Sequence, residues 1–316
     1  MMKLANLKTI ILTAFIVLTH FGYGQQAALN AQYDMISSIQ NPAYNGIGRS
    51  LRVDALSRNQ WSNFPGTPKY TALAFQSPLS RDFAIGANFQ TLAVGKFTSA
   101  PPLSMTSAAA DIAYHTQLNK NLFMSVGLRL GVFNFSMRIT QLIADVPSDV
   151  AQVGNDYNFI SPTVGGGIMA YGKQYFIGVS LPQFAVIPSN IVDNVNLGYN
   201  ARSFYMLNAG FVQPLNKIFS LKTTIQTRMY EGLPLLLDAN IYMLYKDLFT
   251  MGYGYRSTNA HAIMALLRVN EHFKIMYAYE FGKVYDNKTQ FNSNEFGLTY
   301  TLNHSKQKVI ISPRHY

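Results

Sequence analysis

The feature that most constrains this chain is an alternation with period two that runs through most of its length, without any apolar run long enough for a membrane helix. From Phe273 to Phe281 one set of side chains is Phe273, Ile275, Tyr277, Tyr279 and Phe281, and the interleaved set is Lys274, Met276, Ala278 and Glu280. The same split separates Phe219, Leu221, Thr223, Ile225, Thr227 and Met229 from Ser220, Lys222, Thr224, Gln226 and Arg228. It recurs where Leu122, Met124, Val126, Leu128, Leu130 and Val132 oppose Phe123, Ser125, Gly127, Arg129 and Gly131. Successive side chains of a strand point to opposite faces, so each segment reads as a strand with one face fit for lipid and one for water. Leu233 to Leu237 is broken by Pro234 and meets Asp238, and Ala260 to Leu267 meets Arg268, both far short of the roughly 18 apolar residues of a membrane helix.

Composition narrows the class. Only 13% of residues are charged while 48% are hydrophobic, and soluble domains carry about 25% charged residues. An ordinary soluble enzyme is therefore not expected. The 21 Phe and 20 Tyr argue against disorder, and the absence of Cys excludes a disulfide scaffold, a Cys-ligated metal and a lipoprotein anchor. A soluble β-sandwich is the structural rival, but it would normally display more surface charge.

Polar turns recur just ahead of aromatic residues: Ser80–Asp82 before Phe83, Asn119–Asn121 before Phe123, Gly172–Gln174 before Tyr175, Asn216–Ile218 before Phe219, Lys246–Leu248 before Phe249, and Asn270–His272 before Phe273. Turns of about two to five residues join antiparallel neighbours, and aromatic rings beside them fit a membrane interface. The complementary connections at 59–69, 94–102, 138–159, 183–201 and 284–290 collect Pro, Gly, Asn, Asp and Ser and are often longer. Strands are expected near 50–58, 70–78, 83–93, 103–116, 122–137, 160–172, 175–182, 202–213, 218–229, 234–245, 248–256, 260–269, 273–284 and 291–303. In lipid an unpaired backbone N–H or C=O costs several kcal/mol, so such a sheet has to close. The fold expected is all-β, a transmembrane antiparallel barrel of about 14 strands with short periplasmic turns and longer extracellular loops.

The ends divide accordingly. Lys3 and Lys8, the apolar run Ile10–Leu18 and the small-residue site Gly22-Tyr23-Gly24 make residues 1–24 a secretory signal peptide, with an uncleaved anchor as the alternative. Its removal takes away Lys3 and Lys8 and lowers the formal net charge from +10 to +8. An exported chain meets lipid headgroups and envelope proteins, so this basic balance does not point to nucleic acid. Residues 25–49 are expected as a periplasmic N-terminal segment, 50–303 as the barrel and 304–316 as a periplasmic C-terminal tail.

If the aromatic face meets lipid, Asp111, Arg129, Arg228, Asp238, Arg256, Arg268, Glu280 and Glu295 face the lumen. Both signs are present, which favours pairing across the bore over an open selectivity constriction. Among the histidines only His261 falls near the outer rim, and spacing supplies no Ser or Asp partner for a hydrolase. The chain carries no HExxH, calcium-loop or phosphate-loop motif, and no cofactor or metal is expected. Gly165–Gly167 falls in an expected strand, where close packing or a sharp bend is the natural use.

Two segments exceed what a barrel needs. Gln32–Gly46 ends in Asn41-Pro42-Ala43-Tyr44-Asn45-Gly46, and Arg58–Lys69 holds the sole tryptophan, Trp61, in a loop containing Pro65 and Pro68. Asn41, Pro42, Tyr44, Arg58, Gln60, Trp61 and Lys69 are candidate partner-binding residues, since Trp and Arg are enriched at binding hot spots. The alternatives are structural: a plug or periplasmic strap for the first segment, and a loop folded over the barrel mouth for the second.

At these segments the chain resembles the PorP/SprF outer-membrane proteins of the Bacteroidota type IX secretion system. The resemblance rests on Asn41-Pro42-Ala43-Tyr44 with Gly46, Arg58-Asn59-Gln60-Trp61, Pro68-Lys69, Ser77-Pro78-Leu79 and the closing Ser312-Pro313-Arg314-His315-Tyr316. Its specific part is residues 32–79, within which Tyr33–Ile39 departs from the family's more aromatic run. The resemblance implies an outer-membrane barrel without enzymatic activity that works with type IX secretion components. It also implies a partner in the form of a secreted or surface-anchored cargo protein, including adhesins of gliding motility. The alternative is a passive porin or small-solute channel.

Overall fold

The computed structural model describes residues 30–95, 101–138, 156–185, 203–230, 233–246, 248–284 and 289–303. The segment 1–24 expected as a signal peptide, the tail 304–316 with its closing motif, His304 and His315 lie outside the described residues, as do parts of the longer loops. Fourteen antiparallel strands follow one another round a closed barrel. They are β1 (Ser50–Asn59), β2 (Lys69–Pro78), β3 (Phe83–Val94), β4 (Leu103–Asn119), β5 (Leu122–Met137), β6 (Tyr157–Tyr171) and β7 (Tyr175–Ala185). The second half comprises β8 (Phe204–Pro214), β9 (Phe219–Tyr230), β10 (Leu236–Tyr245), β11 (Phe249–Arg256), β12 (Ala260–Arg268), β13 (Phe273–Val284) and β14 (Thr289–Asn303). Every strand expected from periodicity is present.

Closure is made by β1 against β14, in register from Ser50↔Asn303 to Asn59↔Asn294. With an even strand number, both ends of the barrel chain leave at one rim, the rim of the short turns. The alternation sorts the side chains as the two faces demand. Phe273, Ile275, Tyr277, Tyr279 and Phe281 are exposed while Met276, Ala278 and Glu280 are buried. On β5, Val126, Leu128, Leu130 and Val132 face outward, with Leu128 62% and Leu130 68% exposed. Outward aromatic pairs mark the turn-side rim: Phe83 with Tyr114 at 5.1 Å between ring centroids, Phe219 with Tyr245 at 5.4 Å and Phe273 with Tyr300 at 5.0 Å. These form the turn-side girdle that positions a barrel at the headgroup level.

β7 runs past its expected end. Sequence places that end at 182, yet the strand continues to Ala185. It does so through an irregularity: pairing with β6 jumps from Val164↔Phe184 to Gly166↔Leu181, skipping Gly165, Pro182 and Gln183. A Cβ at Gly165 would press on the carbonyl oxygens of Leu181 and Pro182. Two of the three consecutive glycines thus divide the roles expected of them: Gly165 admits a bend and Gly167 a close contact, described below.

The bore is packed. A helical turn, Ser37–Gln40, and a 3-10 turn, Pro42–Tyr44, belong to an N-terminal segment that lies inside the barrel and is buried over almost its whole length from Asn30 to Ile47. This differs from the periplasmic placement of 25–49 expected from sequence. The physical reason is that the inner faces of these strands carry apolar residues, and this segment's apolar residues cover them. Met35, Ile36 and Ile39 join Leu56, Tyr70, Leu92, Met105, Phe133, Phe135 and Phe159 in one cluster. Ala43, Tyr44 and Ile47 join Met169, Tyr171 and Phe176 in another.

The outward face generates a prediction. Replacing Leu128 by Lys places a charge about half-way up the lipid band and should cost about 2–4 kcal/mol. Urea titration of folding into lipid vesicles measures this, and Leu128→Ala should cost much less. Equal destabilisation by the two substitutions would mean that Leu128 does not face hydrocarbon.

Candidate functional site

The inner face of the wall and the N-terminal segment together form the most unusual polar site in the molecule. An irregular segment inside a barrel has few backbone partners of its own, so the wall's side chains supply them. Glu295 on β14 accepts hydrogen bonds from the backbone N–H groups of Ala31 at 3.0 Å and Gln32 at 2.9 Å, one on each carboxylate oxygen. Asn240 Nδ2 donates to Ala31 O at 3.0 Å, Ser180 Oγ to Gln40 O at 2.8 Å and Ser125 Oγ to Ala43 O at 2.8 Å. Gln226 Nε2 donates to Gln40 Oε1 at 2.5 Å.

Arg129 is the branching point of the turn-side half. Its guanidinium forks onto Asp111 with contacts of 2.7 and 2.8 Å, donates to Ser38 O at 2.6 Å and reaches the carbonyls of Ile39 and Pro182. Asp111 also accepts from Asn45 Nδ2 at 3.0 Å. One arginine therefore fastens the segment, the β4–β5 wall and the bent part of β7 to each other.

The loop-side half contains a chain of charges. Arg58 contacts Glu280 at 2.5 Å and Glu295 at 3.3 Å, Arg256 contacts Glu280 at 2.7 Å and Asp238 at 2.5 Å, and Arg228 lies 3.5 Å from Asp238. Lys222 pairs with Asp34 of the N-terminal segment at 3.1 Å, and Arg52 with Asp54 at 2.8 Å. Among the described residues these ion pairs engage six cations and six carboxylates, so the paired charge of the bore sums to zero. A selectivity ring of one sign is thus absent from this set, and the pairs do the work of fixing position.

Of the eight charged residues expected to face the lumen, Asp111, Arg129, Arg228, Asp238, Arg256, Glu280 and Glu295 are buried there and joined as described. Arg268, at the turn-side end of β12, is half-buried. Sequence reading missed Asp34, Asp54, Arg52 and Lys222 as lumen charges. Asp54 and Arg52 belong to one alternating face of β1 and were open to the same reasoning. Asp34 was not, because nothing in its neighbourhood shows that a segment outside the strands will thread the bore.

The candidate partner-binding residues fall into two groups. Asn41 and Tyr44 are 0% and 1% exposed, Pro42 is buried, and Arg58 is 2% exposed within the charge chain. These four face the barrel's own interior and present no surface to a separate protein, a correction to the reading of them as partner contacts. Asn41 Oδ1 caps the 3-10 turn by accepting from Ala43 N at 2.9 Å. A Cβ at Gly167 would collide with the Asn41 side chain, and one at Gly127 with the Pro42–Ala43 backbone. Tyr44 meets Phe176 edge to face at 5.8 Å.

Gln60, Trp61 and Lys69 lie at the loop-side mouth. Trp61 adopts φ 53°, donates its N–H to Ser293 Oγ at 3.1 Å and sets its ring edgewise to Phe291 at 6.2 Å. Gln60 N donates to Pro68 O at 2.9 Å and Ser62 N to Asn292 O at 2.8 Å, so loop 60–68 leans on β14 in a fixed shape. Its crest, Asn63, Phe64 and Pro65, is exposed, as is Lys69 at the start of β2. His261, the one rim histidine, bonds Tyr253 OH through Nδ1 at 2.6 Å and stacks on Phe281, without a serine or carboxylate in the contact.

These contacts predict what holds the bore shut. Gly127→Leu should displace the N-terminal segment while the wall stays folded, and planar-bilayer recordings should then show large stable openings absent from the parent protein. Arg129→Ala, which strips Asp111 of its buried partner, should act the same way and cost about 3–5 kcal/mol in stability. Large openings in the parent protein would contradict the filled bore.

No curated protein matches the chain. Among solved structures it is similar to the Pseudomonas putida toluene transporter TodX, at 13% identity and a TM-score of 0.48, covering 91% of this chain and 97% of that one. It is similar too to the Ralstonia pickettii toluene transporter TbuX, at 10% identity and a TM-score of 0.48 over 90% and 96% of the two chains. A FadL homologue of Pseudomonas aeruginosa shows 10% identity and a TM-score of 0.46 over 90% and 100%. A family model described as type IX secretion system membrane protein PorP/SprF matches residues 23–301. The chain belongs to the PorP/SprF family of type IX secretion system membrane proteins.

Proposed function

We propose that this barrel serves type IX secretion as a docking platform in the outer membrane, supporting export and surface attachment of a partner protein without catalysing a reaction. The observation that carries this reading is the filled bore. The N-terminal segment is bonded to β4, β5, β7, β9, β10 and β14 and covers their inner faces, which favours a surface function over free diffusion through the lumen. The family supports the secretion role. A secreted or surface-anchored cargo, adhesins of gliding motility included, is the partner this reading expects.

Within that reading the mouth loop is the contact. Loop 60–68 is braced by Trp61 and lifts Phe64, 38% exposed, above the rim beside Lys69. An exposed aromatic on a braced loop loses little entropy on binding, which suits a hot spot. Trp61 then acts by holding the loop rather than by touching the partner.

Deleting the gene should abolish secretion of one C-terminally tagged cargo while leaving small-solute uptake normal. Normal secretion with lost solute uptake would instead favour a passive channel. At residue level, Phe64→Ala and Trp61→Ala should each leave a heat-modifiable, membrane-inserted barrel and reduce co-purification of the cargo by about 30-fold, the size of a typical hot-spot loss. If Trp61→Ala abolishes barrel assembly, and Phe64→Ala leaves cargo capture unchanged, the loop is purely structural.

A further inference from the structure

Among the described residues, β7 and β8 are split beyond the middle of β7. Their ladder runs from Tyr175↔Phe211 to Ser180↔Met206 and, among the described residues, goes no further, although β7 continues to Ala185 and β8 begins at Phe204. The cause lies in the bend already described. Pro182 has no N–H for β8, Gly165 gives it room, and Arg129 Nη1 draws its carbonyl inward at 3.3 Å. Beyond Ser180 the described residues of β7 are therefore not paired with β8.

This split sits at membrane depth. Tyr175 belongs to the turn-side rim, and Ser180 lies about 17 Å along the strand from it, or about 13 Å along the barrel axis at a tilt of about 40°. The lipid band is about 25 Å tall, so the split opens in its loop-side half. Outward residues on both lips are apolar: Phe184 is 46% and Tyr205 59% exposed. Open sheet edges are not tolerated facing hydrocarbon unless they border a cavity or are covered.

A cavity is there. It has a volume of about 140 Å³ and is lined on the lips by Pro182, Gln183, Ala185, Phe204 and Met206. Its inner walls combine the buried apolar Ile36, Leu92, Met105 and Phe133 with the polar Gln40, Gln90, Thr91 and Ser107. A cavity of about 150 Å³ accommodates a benzene-sized body. The polar end is supplied by Arg228 and Asn30. Arg228 is 3% exposed, donates through Nη2 to Gln226 Oε1 at 2.8 Å, and has no hydrogen-bond partner at Nη1. Asn30, 4% exposed, has no partner at its side-chain oxygen. A buried guanidinium with an idle donor is costly unless something accepts from it. Arg129, which also borders the cavity, is fully engaged by Asp111 and by backbone carbonyls.

We propose that this cavity is a binding site for a carboxyl-bearing amphiphile that enters sideways from the membrane between β7 and β8, its carboxylate accepting from Arg228 and its apolar body lying between the lips and the N-terminal segment. The volume suits a body of about six to eight carbons, and a longer chain would leave its tail in the split. Such a ligand would touch Ile36 and Ile39 of the N-terminal segment, so its occupancy bears directly on the filling of the bore.

The test is isothermal titration of the full-length mature protein in nanodiscs with octanoate and with octanol. Octanoate should bind saturably and at least tenfold more tightly than octanol. Arg228→Met should remove that preference, and Ala185→Trp, which fills the lip, should weaken both ligands at least tenfold. Heat modifiability establishes that the variants are folded, and Arg228→Gln, which also removes the charge, replaces Arg228→Met if the latter does not insert. Equal binding of the two ligands to the parent protein, absence of saturable octanoate binding, or octanoate binding unchanged in either variant would overturn the proposal.

Discussion

Hydrocarbon offers the backbone no hydrogen-bond partners, and the rest of this structure answers to that fact. Closure of β1 onto β14 satisfies the ladder, and alternation then forces half of every strand's side chains into a shared interior. Water could fill that interior, as in an open channel. Here protein fills it instead. The segment from Asn30 to Ile47 brings apolar residues to meet Leu56, Met105, Phe133 and Phe176, and its own backbone groups are met by Glu295, Arg129, Ser180 and Ser125. The barrel has the kind of core that a soluble domain has, with lipid outside.

Buried ion pairs contribute little to stability once their desolvation is counted, but they are unforgiving about geometry. That suits a segment with only a single helical turn and a 3-10 turn to define its path. Asp111 orients Arg129 through a forked contact, and Arg129 then reads the carbonyls of Ser38 and Ile39 and of Pro182. A displacement of the segment would take the Ser38 and Ile39 acceptors from the guanidinium, and a straightened β7 would take that of Pro182. The irregular wall and the irregular segment thus specify one another.

The strands were legible because a two-sided sheet writes its environment directly into the order of residues. Leu122 to Val132 and Phe273 to Phe281 separate lipid from lumen with almost no exceptions. Buried charges were legible by the same rule, Arg129 and Glu280 among them. The path of the N-terminal segment was not, since Asn41-Pro42-Ala43-Tyr44 announces turns without saying what surrounds them. Its conspicuous residues suggested a partner, and the partner is the barrel's own wall. Gly127 and Gly167 were the available hint, inward positions without side chains, but a missing Cβ does not reveal which chain fills the space. The end of β7 expected at 182 was not legible either, since the strand bends at Pro182 and goes on to Ala185.

The central claim is that residues 31–46 form part of the folded core of the membrane-inserted protein. Hydrogen–deuterium exchange of peptides from this segment, in nanodiscs, tests it most directly. Amides of Ala31, Gln32 and Asn41, bonded to Glu295 and to Ser37, should exchange as slowly as those of β4 and β5. Exchange as fast as that of an unstructured peptide would show that the bore is empty and would contradict the account.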